Sequence, residues 1–202
     1  MSRNHTKTCW VLKCDIRKFF ASVDQKILIK ILKKHIQDED TIWLLQRVIE
    51  SFDSGREGVG LPLGNLTSQL LVNVYMNEFD QFVKHSLKVK YYIRYADDFV
   101  FISHDKKGLE SILRYIVVYL RKRLSLVLNS AKVFLKTVSS GVDLLGWVQF
   151  LDYRVLRTST KKRLFKKLNE NNTDSYLGML KHGNAYKIQS QIIKLFPGQT
   201  SC

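Results

Sequence analysis

Two adjacent aspartates lie inside a segment whose other residues favour β-strands. Asp97 and Asp98 interrupt the run YYIRYADDFVFI (91–102), in which Tyr, Ile, Phe and Val are typical of strands and Asp is not. The pattern predicts a β-hairpin with the acids at its turn. Two carboxylates this close repel each other, so their joint ionisation requires a cation or a basic neighbour. Taken alone, a simple tight turn, where Asp is common, explains the pair equally well.

A third carboxylate favours a metal site over a simple turn. Asp15 directly follows the apolar run WVLKC (10–14), which predicts a strand, and it precedes Phe19 and Phe20. Three carboxylates at strand ends that converge across a sheet would form an all-oxygen site suited to Mg²⁺. Two such ions roughly 4 Å apart are the usual device for nucleotidyl transfer.

The chain carries a large excess of positive charge. Its 202 residues include 33 Lys or Arg against 18 Asp or Glu, a net charge of +15. In a folded chain this balance favours a polyanionic partner, most commonly nucleic acid, over a surface that is merely solvated. Ten of the bases lie between Arg154 and Cys202, against the two acids Glu170 and Asp174. We therefore expect this C-terminal segment to bind phosphates.

Composition also limits the compartment. No segment approaches the roughly 20 apolar residues that span a bilayer, and the N-terminus has no apolar stretch long enough for a secretory signal. Cys9, Cys14 and Cys202 form no CxxC pair and have no zinc-binding spacing, which favours a reducing compartment. We therefore expect a cytoplasmic protein with no membrane partner.

Helical and strand patterns follow one another without a repeat. Asp24 can cap a helix in which apolar residues recur at four-residue spacing, and the glycine-rich segment from Asp53 to Gly64 predicts a loop. Further helices are expected at about 40–52, 67–85, 106–124 (with Asp105 as cap), 158–168 and 174–196, and further strands at 126–128 and 143–150. This order predicts an α+β fold with an antiparallel sheet covered by helices on one face.

Five segments occur in the order and at the spacings of the reverse transcriptase family. They are DIRKFF (15–20), GLPLGNLTSQ (60–69), RYADDF (94–99), LNSAK (128–132) and LGW (145–147). The first four resemble motifs A, B, C and D of the family's palm, and the last resembles its primer grip. The resemblance implies a polymerase palm over residues 1–150 and a basic, partial helical thumb over residues 151–202.

The same resemblance assigns roles at the acidic site. Asp15, Asp97 and Asp98 match the family's metal ligands, and the backbone carbonyl of Ile16 matches a further ligand. They would bind two Mg²⁺ ions, with Mn²⁺ as a substitute. Lys132 matches a lysine that protonates the leaving pyrophosphate, although a solvated loop lysine is the plain alternative.

Phe20 matches the aromatic residue that selects the sugar of the incoming nucleotide. A ring packed beneath that sugar leaves no room for a 2′ hydroxyl, so dNTPs and a DNA product are expected. The alternative is that Phe19 and Phe20 both belong to the core, and the position of Phe20 after Asp15 assigns the gate to Phe20.

The segment 60–69 matches the loop that contacts the nascent base pair and the template. Its expected substrate-binding residues are Leu63, Gly64, Asn65 and Gln69, with Thr67 and Ser68 as further hydrogen-bonding groups. Most relatives have Gln-Gly and Ser-Pro where this chain has Leu-Gly and Ser-Gln. This form resembles the error-prone reverse transcriptases of diversity-generating retroelements, and a group II intron-like bacterial lineage is the other candidate.

The resemblance also implies residues that hold nucleic acid. Leu145, Gly146 and Trp147 match the primer grip, although LGW would equally suit a buried strand. Six bases fit a thumb helix that follows the nucleic-acid backbone by charge, and a solvated helix face is the alternative: Arg157, Lys161, Lys162, Arg163, Lys166 and Lys167.

Only fourteen residues precede Asp15, so the fingers subdomain that precedes motif A in the family is expected to be largely missing. The leading hypothesis is an RNA-directed DNA polymerase that uses an RNA template, a DNA or RNA primer and dNTPs, and that could recruit an accessory protein of a retroelement. The alternatives are a truncated, non-catalytic nucleic-acid-binding remnant and another two-metal polymerase or nuclease with a similar palm.

Overall fold

The computed structural model of the protein describes residues 8–52 and 55–196. The start of the predicted loop at Asp53 and the thiol of Cys202 lie outside the described residues. The chain divides into two compact units, one ending at Lys136 and the other beginning at Thr137. The sequence motifs place the end of the palm at residue 150, and that functional division stays a prediction.

The first unit is built on a four-stranded sheet. Its strands are β1 (Trp10–Asp15), β2 (Tyr92–Tyr95), β3 (Asp98–Ser103) and β4 (Phe134–Thr137), in the order β2-β3-β1-β4. Strand β3 pairs antiparallel with both β1 and β2. The predicted hairpin at the two aspartates is therefore confirmed, and β1 confirms the strand predicted before Asp15.

Most helices of the first unit lie close to their predicted positions, and one of the two predicted capping residues makes its hydrogen bond. The helices are α1 (Phe19–Ser22), α2 (Gln25–His35), α3 (Glu39–Glu50), α4 (Leu66–Gln81) with a π-helical extension over Phe82–Ser86, and α5 (Lys106–Leu124). Asp24 caps α2 by accepting a hydrogen bond from the amide of Ile27 at 3.0 Å. Asp105 precedes α5 as predicted, but its side chain makes no capping hydrogen bond.

The core of this unit lies on one face of the sheet. Leu12 faces Phe101 across the β1–β3 pair and Cys14 faces Phe99, and all four side chains are buried in the cluster that includes the apolar faces of α4 and α5. Because side chains alternate along a strand, Lys13, Asp15, Asp98 and Val100 lie on the opposite face. The helices thus cover one face, as predicted, and leave the acids on the other.

Up to residue 196, the second unit combines a three-stranded antiparallel sheet with three α-helices. Its elements are β5 (Val142–Leu144), β6 (Trp147–Gln149), β7 (Arg154–Leu156), α6 (Thr158–Lys167), α7 (Thr173–Leu180) and α8 (Tyr186–Leu195). A small core around Trp147, Leu164, Leu180 and Ile192 joins the sheet to the helices.

Several predicted elements differ from those observed. The strand predicted over 143–150 is a hairpin, because Leu145 and Gly146 have φ angles of 52° and 82° and form a two-residue turn between β5 and β6. The strand predicted over 126–128 is reduced to one isolated bridge between Leu128 and Ile16. Strands β4 and β7 were not predicted.

The prediction of a single helix over 174–196 is wrong, because α7 ends at Leu180 and α8 begins only at Tyr186. At the break the amide of Asn184 donates to the carbonyl of Arg154 at 2.8 Å, which ties the connection to β7. Among the described helices, none is both long and apolar enough to cross a membrane.

Candidate active site

The three predicted acids lie at or next to one end of the two central strands of the first sheet. Asp15 is the last residue of β1 and faces Asp98, the first residue of β3, across the strand pair. Asp97 precedes Asp98 in the hairpin turn, and its carbonyl accepts a hydrogen bond from the amide of Ile16 at 3.3 Å. The side chains of Asp15 and Asp98 therefore share the face of the sheet opposite the helical core.

Two lysines contact these carboxylates. The ammonium of Lys132 lies 2.8 Å from Oδ2 of Asp15, and the amide nitrogen of Asn129 donates to Oδ1 at 3.4 Å. The ammonium of Lys13 lies 3.3 Å from Oδ1 of Asp98. The sequence reasoning singled out Lys132 but missed Lys13 and Asn129. The signal for Lys13 was its position two residues before Asp15, since alternate residues of a strand share a face.

The pKa shifts at the site reflect burial and the closeness of charged groups. Burial raises the pKa of Asp97 above its ordinary value, and the charges of Asp15 and Asp98 raise it further. The hydrogen bond and charge of Asp15 raise the pKa of Lys132, although partial burial opposes the rise. The site therefore favours bound cations, and Lys132 keeps its proton at neutral pH.

The acids fit a divalent cation by their chemistry, because carboxylate and carbonyl oxygens are the donors that Mg²⁺ prefers. The pKa of Asp97 is raised first by burial and then by the charges of Asp15 and Asp98, and a bound cation would oppose both effects. Over residues 8–52 and 55–196, however, no three His, Cys, Asp or Glu side chains are grouped as a metal cluster. Asp15 and Asp98 each bind an ammonium group instead, so metal binding would require these contacts to rearrange.

The two phenylalanines after Asp15 differ in burial. Phe19 is 3% exposed and belongs to the core, whereas Phe20 is half-buried and meets Phe19 edge to face at 5.5 Å between ring centroids. The carbonyl of Phe20 accepts a hydrogen bond from the amide of Leu61 at 2.8 Å. Phe20 is thus less buried than Phe19, and it lies next to the start of the loop before α4.

That loop and the first turn of α4 present the predicted binding residues to solvent. Leu63 is 79% exposed, Gly64 has a φ of 83° with open space where a side chain would lie, and Gln69 is exposed. Asn65 caps α4 by accepting a hydrogen bond from the amide of Thr67 at 3.0 Å. Ser68 is buried, so it cannot offer the exposed contact that the sequence suggested.

A sequence model described as "Reverse transcriptase (RNA-dependent DNA polymerase)" matches residues 1–149 of the chain. The chain belongs to the reverse transcriptase family. The family assigned from the five sequence motifs is therefore confirmed.

Two curated relatives match this chain over less than half of their own length. Protein YkfC of Escherichia coli K12 is 29% identical, over 70% of this chain and 47% of that protein. The group II intron-encoded protein LtrA of Lactococcus lactis is 22% identical, over 76% of this chain and 36% of that protein. The chain thus spans less than half the length of these curated relatives.

A solved structure agrees with the reverse transcriptase fold. Telomerase from Candida albicans, in complex with a fragment of telomeric RNA, superposes with a TM-score of 0.64 over 95% of this chain and 39% of that chain. The sequence identity is 13%, so this likeness shows the fold alone. It agrees with the predicted α+β palm.

The segment that resembles the family's primer grip forms the turn between β5 and β6. Leu145 is exposed, whereas Trp147 is 8% exposed and belongs to the core of the second unit. Gly183 lies against the Trp147 ring so closely that a Cβ there would overlap it, and sequence reasoning missed this contact. Trp147 therefore anchors the hairpin, and the Leu145–Gly146 turn is the accessible part.

The predicted thumb bases occupy two different environments. Four of them lie exposed on α6, namely Lys162, Arg163, Lys166 and Lys167. Lys161 is half-buried, and Arg157 forms an ion pair with Asp143 at 3.0 Å. The exposed set forms a positive helix face, while Arg157 also holds α6 to β5.

Proposed function

We propose that the protein carries the palm and thumb functions of an RNA-directed DNA polymerase. It would copy an RNA template into DNA from a DNA or RNA primer and dNTPs. The observation that carries the proposal is the facing pair Asp15 and Asp98, with Asp97 in the adjoining turn, on the face of the sheet opposite the core. In a chain of this family, that face is the natural place for a primer end.

Asp15, Asp97 and Asp98, with the carbonyl of Ile16, would hold two divalent cations, Mg²⁺ or in its place Mn²⁺. When bound, such ions activate a primer hydroxyl and neutralise the charge of a triphosphate. Lys13 and Lys132 balance the same carboxylates in the absence of metal. We therefore expect metal binding to compete with these two lysine contacts.

Lys132 would act as the general acid. Its ammonium is held at the acidic site by Asp15, 2.8 Å away, and its pKa is raised by that contact. A protonated amine at this place can donate to the leaving pyrophosphate as its oxygen gains charge. The side chain is 60% exposed, so it has the freedom to turn from Asp15 towards a substrate.

Phe20 and the loop before α4 would select the nucleotide. The Phe20 ring would exclude a 2′ hydroxyl, which favours dNTPs. Leu63, Gly64, Asn65 and Gln69 would contact the nascent base pair. An exposed Leu63 offers no hydrogen bond there, which supports relaxed fidelity, as in diversity-generating retroelements.

The second unit would hold the primer and the duplex. The Leu145–Gly146 turn would contact the primer end, and the exposed bases of α6 would contact phosphates without reading sequence. We include an accessory protein of a retroelement among the expected partners. The excess of basic residues in this part of the chain supports nucleic acid as the principal one.

Primer extension on an RNA template with Mg²⁺ and dNTPs tests the proposal. We expect the wild-type chain to extend the primer, and the double variant Asp97→Asn/Asp98→Asn to bind the primer–template but not extend it. Asp174→Asn is the matched control, since Asp174 is an exposed acid at the start of α7. Binding without extension by the wild type would instead indicate a nucleic-acid-binding protein that is not a polymerase.

A further inference from the structure

Arg94 of β2 forms a paired contact with helix α4. Its Nε donates to Oδ1 of Asp80 at 2.9 Å, and its Nη2 donates to Oδ2 at 2.7 Å. Parallel bonds of this kind fix the orientation of both groups as well as their distance. The Arg94 side chain is 11% exposed, so the pair lies largely out of water on the helical side of the sheet.

Tyr92 makes Asp80 the centre of a small polar network. Its hydroxyl donates to Oδ1 of Asp80 at 2.7 Å. Burial raises the pKa of Tyr92, and the hydrogen bond to Asp80 raises it further. Burial by itself would lower the pKa of Arg94, but the bonds and charge of Asp80 outweigh it and raise that pKa. Asp80 thus holds two neighbouring side chains of β2.

The third nitrogen of the guanidinium reaches the hairpin turn. Nη1 of Arg94 donates to the carbonyl of Ala96 at 3.1 Å and to Oδ1 of Asn73 at 3.3 Å. Ala96 has a φ of 51°, a left-handed conformation that a residue with a Cβ adopts only when its surroundings hold it there. The peptide group that Arg94 binds is the one that joins Ala96 to Asp97.

We propose that Arg94 is a positioning residue that, anchored by Asp80, holds the Ala96–Asp97 peptide and so orients the carboxylates of Asp97 and Asp98. This inference rests on the proposed function for its catalytic consequence. The bond from the Ile16 amide to the Asp97 carbonyl holds the same turn from β1. A lysine could not replace Arg94, because the planar guanidinium makes four hydrogen bonds, to three partner residues, in fixed directions.

Hydrogen exchange of the full chain, without metal or nucleic acid, tests the contact directly. The variants are Asp80→Asn and Arg94→Lys. The matched control is Glu78→Gln, which removes a carboxylate from the same helix and breaks an exposed ion pair with Lys34 at 3.1 Å. We expect the Ile16 amide, which donates to the Asp97 carbonyl in this turn, to exchange about tenfold faster or more in both variants, and within about twofold of wild type in the control.

A general loss of stability would give a different pattern. If exchange in α4 and α5 rises as much as at the Ile16 amide, or if that amide exchanges at the wild-type rate in both variants, the positioning role is overturned. Arg94→Lys keeps the buried positive charge. If Asp80→Asn does not fold, exchange in Arg94→Lys is compared with exchange in wild type and in Glu78→Gln.

Steady-state extension kinetics test the catalytic consequence. In the folded variants we expect kcat to fall about tenfold or more, with the KM for dNTP changed less than about threefold, because misplaced ligands slow the reaction more than they weaken nucleotide binding. A wild-type kcat in a variant with a loosened turn would overturn the inference. Absence of extension by the wild type would overturn the proposed function instead, and the exchange data would still decide whether Arg94 holds the turn.

Discussion

The ammonium of Lys13 lies 3.3 Å from a carboxylate oxygen of Asp98, and the Lys13 side chain is only 11% exposed. A largely buried lysine thus balances charge at the acidic site. We expect Lys13→Met to lower the free energy of unfolding in EDTA by about 1–3 kcal/mol, because a part-buried carboxylate loses a cationic partner. Urea unfolding measures this change.

Lys34→Met is the control for Lys13, since Lys34 pairs with Glu78 at 3.1 Å but is 50% exposed. A surface pair of this kind contributes less than about 1 kcal/mol. Added Mg²⁺ should stabilise Lys13→Met more than wild type, because the ion no longer competes with an ammonium. Equal losses in the two variants would contradict a special role for Lys13.

Lys132 should set the alkaline side of the pH–rate profile. A general acid works in its protonated form, which is present below its pKa and is lost as pH rises through it. The contact with Asp15 raises the pKa of Lys132, and a lysine freed from that contact has an ordinary pKa of about 10.4. In either case the wild-type rate should show no loss of this acid up to pH of about 9. Lys132→Ala should lower the extension rate about 100-fold.

Lys132→His provides the diagnostic shift in the same experiment. Histidine has an ordinary pKa of about 6.5, so the rate of this variant should fall as pH rises through the neutral range. We would measure the extension rate of wild type and of Lys132→His between pH of about 6 and 9. If both show the same pH dependence, Lys132 is not the proton donor.

Phe20 should decide the sugar of the incorporated nucleotide. Phe20→Val shortens the side chain, so we expect a higher ratio of ribonucleotide to deoxyribonucleotide incorporation, measured as the ratio of kcat/KM values. Phe19→Leu is the control, because Phe19 is 3% exposed in the core. That change should lower stability by about 1 kcal/mol without altering sugar choice. If Phe20→Val selects deoxyribonucleotides over ribonucleotides as strongly as wild type, Phe20 does not select the sugar.

Gly183 should be essential for packing in the second unit. A Cβ at Gly183 would overlap the Trp147 ring, whereas a Cβ at Gly178 in α7 meets nothing within 4 Å. We expect Gly183→Ala to destabilise the protein by about 1–3 kcal/mol. Gly178→Ala should stabilise it by about 0.5–1 kcal/mol through helix propensity. Thermal unfolding measures both, and changes of the same sign would contradict the assigned overlap.

The exposed bases of α6 should set the salt dependence of duplex binding. The test variant changes Lys162, Arg163 and Lys166 to Gln, and the control changes Lys26, Lys30 and Lys33 of α2, which are also exposed. We expect the test variant to reduce the slope of log K against log salt by about 2 to 3, since each phosphate contact contributes about 0.9. An equal reduction in the control would indicate non-specific attraction by net charge.

Local patterns predicted the elements that hold the acids. Asp97 and Asp98 stand between two apolar runs, and such a break in strand-forming residues is visible from the neighbours alone. The start of α2 was equally visible, because Asp24 is a capping residue directly before an amphipathic pattern. These predictions needed no knowledge of distant parts of the chain.

Other elements depend on contacts that no local pattern records. The break between α7 and α8 lies where Asn184 bonds to β7 and Gly183 packs on Trp147. The pair Gly183-Asn184 is itself typical of a helix end, but the contacts with β7 and Trp147 follow from no local pattern. The hydrogen bonds between Arg94 and Asp80 were not predicted either. Asp80 lies in a separate helix, and no spacing rule joins the two residues.

The sequence by itself determined that three carboxylates stand at strand ends, that bases gather near the C-terminus, and that the chain resembles reverse transcriptases. Each of these follows from residue type and order. Only the tertiary structure decided that Asp15 faces Asp98, that Lys13 and Lys132 bind these acids, and that Arg94 holds the turn. Strand pairing and side-chain contacts join residues far apart in the chain, so they depend on how the whole core packs.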